Sequence, residues 1–279
     1  MIALERLGIK VCEYYAAEID KAAIKVSQAN YPNIMRIGDV TKVSYKDGVL
    51  HTENGDFNVD HFDLLLAGSP CQSISNLGDG SGLQGKSGLF HEFLRIKKEV
   101  NPSNFLLENV CGNKKAINII SELVGVEPIL INSNLVSGQN RKRLYWTDID
   151  GVQLPEEKGI TLSDILEHGL PEMSILTPGR HRWVLSDKAK GCFAKNYAVL
   201  DPIKANCLTA RSDASWNSNY VTREGQITRL TPTEYERLQT VPEGYTAMAR
   251  ASERYKMLGN GWTVDVIAHI LSFVKSDER

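Results

Sequence analysis

The chain has 279 residues, 42% hydrophobic and 24% charged, with 32 Lys and Arg against 34 Asp and Glu, the composition of a globular protein rather than a disordered or fibrous one. A formal net charge of -2 excludes a polycationic, histone-like protein and leaves room for a local basic groove. No run approaches the ~20 apolar residues that span a bilayer, and residues 1–10 hold no secretory apolar core, which sets aside membrane and export classes and predicts a cytoplasmic protein. The five cysteines, Cys12, Cys71, Cys111, Cys192 and Cys207, lack C-x-x-C spacing, so neither a disulfide framework nor a metal site is expected.

In chain order, short apolar runs alternate with helical stretches through the first half. Val11–Ala17, Phe62–Ala67, Asn104–Leu107, Ile129–Asn132 and Arg143–Thr147 read as strands. Lys21–Asn30, Leu89–Val100 and Lys114–Val124 have helical spacing, with Pro32 and Pro102 following as stops. This alternation predicts an α/β fold with a mostly parallel sheet covered by helices. From about Asp150 to Thr228 the texture changes to Gly, Pro, Ser and Asn with scattered aromatics, as in a small irregular domain of short strands and loops. Helical patterning returns at Pro232–Gln239 and Thr263–Val274. The expected organisation is a discontinuous α/β domain over 1–150, completed by 255–279, with an inserted domain over 151–254.

The residues able to do chemistry cluster at predicted strand ends. Glu18 follows the first strand, where a carboxylate either accepts hydrogen bonds from ribose hydroxyls or complements the dipole of the next helix. Asp39, in the next βα loop, is either an acceptor for an adenine amino group or a turn aspartate. Cys71, in Gly68-Ser69-Pro70-Cys71-Gln72, is a nucleophile if cations or backbone dipoles lower its pKa, and otherwise a small buried hydrophobe. Ser73–Ser87 carries Gly78, Gly80, Gly82 and Gly85, the makings of a flap over a substrate or of a plain surface loop. Glu108 ends the third strand beside Phe105 and Leu107; apolar surroundings would raise its pKa and let it hand a proton to a ring nitrogen, or it caps a helix. Gln139, Arg141 and Arg143 alternate, hence share one face of a strand start, and guanidinium forks there suit carboxylates, phosphates or carbonyls.

With these pieces in order the sequence resembles the cytosine-C5 DNA methyltransferase family, in its phage and bacterial members with some likeness to the vertebrate de novo enzymes. The carriers are Pro70-Cys71-Gln72 with Ser75, Glu108-Asn109-Val110, Gln139-x-Arg141-x-Arg143, Arg229-Leu230-Thr231-Pro232-Thr233-Glu234 with Glu236-Arg237-Leu238-Gln239, and Leu258-Gly259-Asn260-Gly261. The resemblance implies a Rossmann-like, S-adenosylmethionine-dependent sheet and methylation of C5 of a cytosine flipped out of duplex DNA. It makes Cys71 the nucleophile and Glu108 the partner of ring N3. Arg143 becomes the ligand of the base carbonyl, with Arg141 and Gln139 orienting the neighbouring loop. It carries Glu18 to the cofactor ribose, Ile19 to the adenine face, Asp39 with Val40 to the adenine edge, Pro70 and Leu89 to the cavity wall, and Asn260 to the methionine portion. Ser75, Gln72, Arg211 and Arg229 become DNA contacts. The region from about 151 to 228 becomes the target-recognition segment; within it Arg180, Arg182, Lys188, Lys190, Lys195, Lys204, Arg211 and Arg223 face only Asp187, Asp201 and Asp213, a local basic excess suited to phosphates. A paired restriction endonuclease is a further implied partner.

The chain departs from the family in one place. The family opens with a strand ending in a Phe-x-Gly-x-Gly-like turn; here Met1–Gly8 resembles the helix that follows it. About five ladder hydrogen bonds at ~1 kcal/mol each and three or four buried side chains at ~1.5–3 kcal/mol each approach the stability of a whole domain, ~5–15 kcal/mol. The expectation is therefore an N-terminally truncated reading frame that binds S-adenosylmethionine poorly and is impaired in methylation. Two other functions stand beside the main one: tRNA cytosine-C5 methylation, and a non-catalytic DNA-binding accessory role.

Overall fold

A computed structural model describes residues 1–68, 88–112, 114–212 and 214–275. Pro70, Cys71, Gln72, Ser75, the Ser73–Ser87 stretch and Asp213 lie outside the described residues. The chain divides into two compact units: an α/β unit of Ile9–Ile131, Lys142–Gln153 and Ile270–Arg279, and a second unit of Met1–Gly8, Asn132–Arg141 and Leu154–His269. Against the expected span of 1–150, Met1–Gly8 and Asn132–Arg141 group with the second unit and the α/β unit runs on to Gln153; its C-terminal segment begins at Ile270 rather than at 255. Residues 255–269 group with the second unit because Tyr255 packs edge-on against Tyr235 with ring centroids 4.8 Å apart and Leu258 joins the core of Leu230 and Leu238.

In the α/β unit, β1 (Tyr15–Ala17) leads through α2 (Lys21–Asn30) to β2 (Met35–Gly38), and the two strands pair in parallel with Ala17 opposite Gly38. Asp20 starts α2 by accepting from the amides of Ala22 and Ala23, an N-cap that satisfies otherwise orphaned donors. Next comes an antiparallel meander of β3 (Ser44–Lys46), β4 (Val49–Thr52) and β5 (Gly55–Asn58), absent from the sequence expectation. Its signal was Asp47-Gly48: both residues have positive φ, 51° and 80°, as a tight hairpin turn requires.

A four-stranded sheet follows, built from β6 (Leu64–Gly68), β7 (Asn104–Val110), β8 (Ile129–Asn132) and β10 (Lys142–Thr147) in the order β6-β7-β10-β8. Helices α3 (Gly88–Val100) and α4 (Lys114–Val124) connect its strands. β6 and β7 run parallel, and β10 returns antiparallel to β7. Phe90 and Phe93 of α3, Ala116 and Ile120 of α4, and Phe105, Leu107 and Trp146 of the sheet make one core. At ~1.5–3 kcal/mol per large apolar side chain, this layer holds β7 and β10 in register. Among the described residues the β1-β2 ladder and the four-stranded sheet are separate, with β1 paired to β2 and β6 to β7. Leu64–Ala67, an apolar run of the kind that fills the middle of a parallel sheet, is accordingly only half-buried.

The second unit contains α1 (Ile2–Arg6), β9 (Gln139–Asn140), α5 (Pro178–Val184), α6 (Asp187–Ala194), β11 (Val199–Leu200), β12 (Ala205–Asn206), the hairpin β13 (Asn219–Arg223) and β14 (Gln226–Arg229), then α7 (Pro232–Leu238), α8 (Ala251–Asn260) and α9 (Val264–Leu271), whose last residues pass into the α/β unit. A capping box opens α7: Thr231 accepts from the Glu234 amide while Glu234 accepts from the Thr231 amide, the T-x-x-E device that marks a helix start. No helix among the described residues is long and apolar enough to cross a membrane.

Candidate active site

The α/β unit carries two clusters at carboxyl ends of parallel strands, where ligands of such sheets gather. The first lies beyond β1 and β2. Because Ala17 and Gly38 are register partners, Glu18 and Asp39 leave adjacent strands side by side. Glu18 Oε1 accepts from the amides of Ile19 and Asp20, each at 2.8 Å, and Asp39 Oδ1 accepts from the Thr41 amide at 2.9 Å. That amide holds the Asp39 carboxyl below the usual carboxylate range. Each acid is oriented by backbone amides, and Asp39 also takes a side-chain hydrogen bond from Thr41. Ile19 is 71% exposed beside them. Two fixed carboxylates and a bare aliphatic side chain fit a nucleoside: acceptors for hydroxyls and an exocyclic amine, and an apolar surface for a ring.

The second cluster lies at the ends of β6, β7 and β10. Gly68, the last residue of β6, is the register partner of Glu108, while Tyr145 of β10 stands opposite Glu108 on the other side. Arg143 is therefore the diagonal neighbour of Glu108 on the same sheet face, and its Nε lies 2.9 Å from Glu108 Oε1, with side-chain exposures of only 13% and 10%. The surroundings differ from expectation. Phe105 and Leu107 enter the core on one face, and alternation turns Glu108 to the other, where a guanidinium meets it. Arg143 Nη1 also donates to the Lys142 carbonyl at 2.8 Å, which fixes the fork. Cys111 directly follows β7; partial desolvation pushes its thiol pKa up, although Arg143 and Lys142 oppose the shift. Leu89 opens α3 and is half-buried.

Gln139 and Arg141 do not share a strand face with Arg143. β9 ends at Asn140, β10 starts at Lys142, and the chain passes from one unit to the other between Arg141 and Lys142. Within the second unit Arg141 is buried and donates to three backbone carbonyls: Leu208 at 2.8 Å, Gly261 at 2.8 Å and Gly259 at 3.2 Å. These carbonyls bracket the exposed Asn260 at the end of α8. Gln139, fully buried, donates to the Leu238 carbonyl and to Gln239 Oε1, at 2.7 and 2.9 Å. Both side chains join loop 207–208 and the ends of α7 and α8 into one piece.

The basic run proves less uniform than its composition. Arg180 is buried and donates to the Ser215 carbonyl, Arg223 is buried against Glu234 at 2.5 Å, Lys204 donates to the carbonyls of Asn134 and Ser137, and Lys190 pairs with Asp187. Arg182, Lys188, Lys195 and Arg211 remain exposed. Arg229 donates from Nε to the Met173 carbonyl and lies over the Tyr255 ring. Glu236, quoted among the motif residues but given no role by the sequence, is fully buried and accepts from the amides of Gly244 and Thr246 and from Arg254. The described residues contain no group of three acids, histidines or cysteines able to hold a metal ion.

A profile of the family described as C-5 cytosine-specific DNA methylase matches residues 1–150 and 193–276. The chain is 30% identical to the type II methyltransferase M1.ScrFI of Lactococcus lactis subsp. cremoris, over 94% of this chain and 72% of that protein. It is 29% identical to M.HpaII of Haemophilus parainfluenzae, over 95% of this chain and 83% of the relative. Among solved structures the fold is similar to the Entamoeba histolytica methyltransferase EhMeth, with TM-score 0.74, 16% identity and coverage of 97% and 92% of the two chains. It is also similar to the S. pombe Dnmt2 methyltransferase, with TM-score 0.70, 18% identity and the same coverages. The matched residues contain both clusters of the α/β unit, and the chain belongs to the family of C-5 cytosine-specific DNA methylases.

Proposed function

We propose that this chain methylates C5 of cytosine in duplex DNA, with the Glu108–Arg143 pair at the head of the cytosine site and Cys71 as its nucleophile. The observation that carries the reading is that pair, buried where the carboxyl end of β7 meets the amino end of the antiparallel β10. It is joined by the register of Glu108 with Gly68, the residue from which the chain continues to Cys71. Cys71 itself lies outside the described residues; it stands three positions after Gly68, a reach of roughly 11 Å at full extension.

Cytosine is unreactive at C5 until a nucleophile adds at C6. Cys71 Sγ forms that bond as a thiolate, and the electron pair moves through the ring toward C5. Glu108, in its protonated form, donates to ring N3 from one oxygen while the other accepts from Arg143, whose remaining N–H groups donate to the base carbonyl, so the charge that develops in the ring meets donors already in place. S-adenosylmethionine, when bound, supplies the electrophilic methyl group. Water then takes the proton from C5, the C5–H electron pair re-forms the C5–C6 double bond, and the Cys71–C6 bond breaks with its pair leaving on the thiolate. Glu18 would hold the ribose hydroxyls, Ile19 the face of the adenine, Asp39 with Val40 its edge, and Pro70 and Leu89 the adjoining wall.

The curated relatives are named type II methyltransferases, which supports duplex DNA as the acceptor and a role beside a restriction endonuclease. Arg211, exposed in the segment read as target-recognising, together with Gln72, Ser75 and Arg229, supplies the DNA contacts in this reading. Methyl transfer from labelled S-adenosylmethionine to duplex DNA and to tRNA, measured side by side, tests it. Transfer to DNA alone is expected; transfer to tRNA alone overturns the choice of substrate, and transfer to neither overturns the enzymatic reading.

A further inference from the structure

The 44–58 meander carries a side chain that reaches into the loop after β2. Glu53, at its β4–β5 turn, accepts from the Asp39 amide through Oε2 at 3.1 Å and from Lys42 Nζ through Oε1 at 2.5 Å. Asn54 beside it donates to the Arg36 carbonyl at 2.7 Å, which pins the turn along β2. The approach needs glycine at position 38: its φ is +77°, and a Cβ there would stand 3.0 Å from Glu53 Oε2. From the opposite side, Arg95 of α3 donates to the Val40 carbonyl at 3.2 Å. Arg95 is itself gripped by Glu92 and Glu99, and Glu99 accepts from the Tyr45 amide of the same meander at 3.0 Å. The Asp39–Val40 segment is thus held at the Asp39 amide by Glu53 and at the Val40 carbonyl by Arg95, while the Asp39 carboxylate is fixed by Thr41.

We infer that Glu53 is a positioning residue for the nucleoside half of the S-adenosylmethionine site, setting the Asp39–Val40 loop so that the Asp39 carboxylate meets an adenine amino group. This rests on the reading of Asp39 as the adenine contact. An adenine edge presents a donor amine beside an acceptor ring nitrogen, and its deaminated counterpart inverts both. A loop held in one register discriminates between the two, and a slack loop loses affinity and discrimination together.

The test is calorimetric binding of S-adenosyl-L-homocysteine and of S-inosyl-L-homocysteine to the full chain and its variants, with methylation kinetics alongside. Glu53→Ala is expected to weaken S-adenosyl-L-homocysteine binding about 5- to 10-fold, the loss of one or two anchoring hydrogen bonds, and to narrow its preference over the inosyl analogue. It should raise KM for S-adenosylmethionine with kcat unchanged at saturation. Glu53→Gln, whose amide oxygen still accepts from the Asp39 amide, should recover binding to within about twofold, and Lys42→Ala, which removes only the exposed ion pair, should do the same. If Glu53→Ala binds like wild type while Asp39→Asn is weakened, Glu53 has no positioning role although the adenine contact stands. If Asp39→Asn also binds like wild type, the reading of the nucleoside site fails and the inference falls with it.

Discussion

Arg143 Nε lies 2.9 Å from Glu108 Oε1, and the two side chains are held together by neighbouring antiparallel strands rather than by a loop. The pair is fixed before any substrate arrives, the condition under which hydrogen-bond donors lower a barrier instead of reorganising during it. Glu108→Gln keeps the shape and removes the transferable proton, so kcat should fall about 10²- to 10⁴-fold with little change in DNA affinity. Arg143→Ala removes both the donor and the partner of Glu108, and a loss of about 10²- to 10³-fold is expected. Single-turnover transfer of a labelled methyl group measures both; a Glu108→Gln enzyme at wild-type rate would remove the acid from the mechanism.

Arg141 makes a contrasting prediction, although it stands two residues from Arg143 in the sequence. Its guanidinium is spent on the carbonyls of Leu208, Gly259 and Gly261, and a lysine ammonium, a single nitrogen in place of a planar fork, cannot meet all three at once. Arg141→Lys should cost about 1–3 kcal/mol of stability through carbonyls left unsatisfied, visible in urea melts. Arg143→Lys should leave the melt nearly unchanged and reduce turnover. Equal melts for the two variants would contradict this division of labour.

Two helical glycines separate close packing from open space. A Cβ on Gly259 would sit 2.2 Å from the Thr209 backbone, whereas one on Gly191 would meet nothing within 4 Å. Gly259→Ala has to push apart α8 and loop 209–210 and should destabilise by several kcal/mol, as overpacking against backbone does (about 1–3 kcal/mol or more). Gly191→Ala, inside α6, should stabilise by about 0.5–1 kcal/mol. Thermal unfolding of the two single variants decides it by the sign of the shift.

The cofactor side has a pH signature. Asp39 is held below the usual carboxylate range by the Thr41 amide, and Glu53 by its hydrogen bond with Lys42. A depressed carboxylate gives its full contribution above the unfolded value, about 4, and loses it as pH falls through the lower folded value. Binding of S-adenosyl-L-homocysteine should accordingly stay within about twofold from pH 8 to pH 5. A sigmoidal loss centred near pH 6 would show that a different group controls the site.

The strand ends were legible because period and punctuation reveal them: apolar runs closed by Glu108 or Gly68 placed these residues at one sheet edge before any coordinates. Partner choice was not. The apolar neighbours Phe105 and Leu107 lie adjacent to Glu108 in sequence but across the sheet from it, and only the register of β10 puts Arg143 there. The basic run between Arg180 and Arg223 looked like one charged surface, yet Arg180, Arg223 and Lys204 satisfy buried or backbone acceptors, a long-range pairing that composition does not encode. The meander was legible in Asp47-Gly48 and passed over, and with it Glu53.

The central claim is that Cys71 adds to C6 of a cytosine whose ring Glu108 activates. Duplex DNA carrying 5-fluorocytosine in place of cytosine tests it most directly, because fluorine at C5 blocks the final elimination and leaves the protein bound. With S-adenosylmethionine present, the wild-type chain and Cys111→Ser should form a denaturation-resistant adduct, Glu108→Gln should form it far more slowly, and Cys71→Ser should form none. A wild-type chain that methylates ordinary cytosine yet never becomes trapped, or a Cys71→Ser chain that does, would contradict the account.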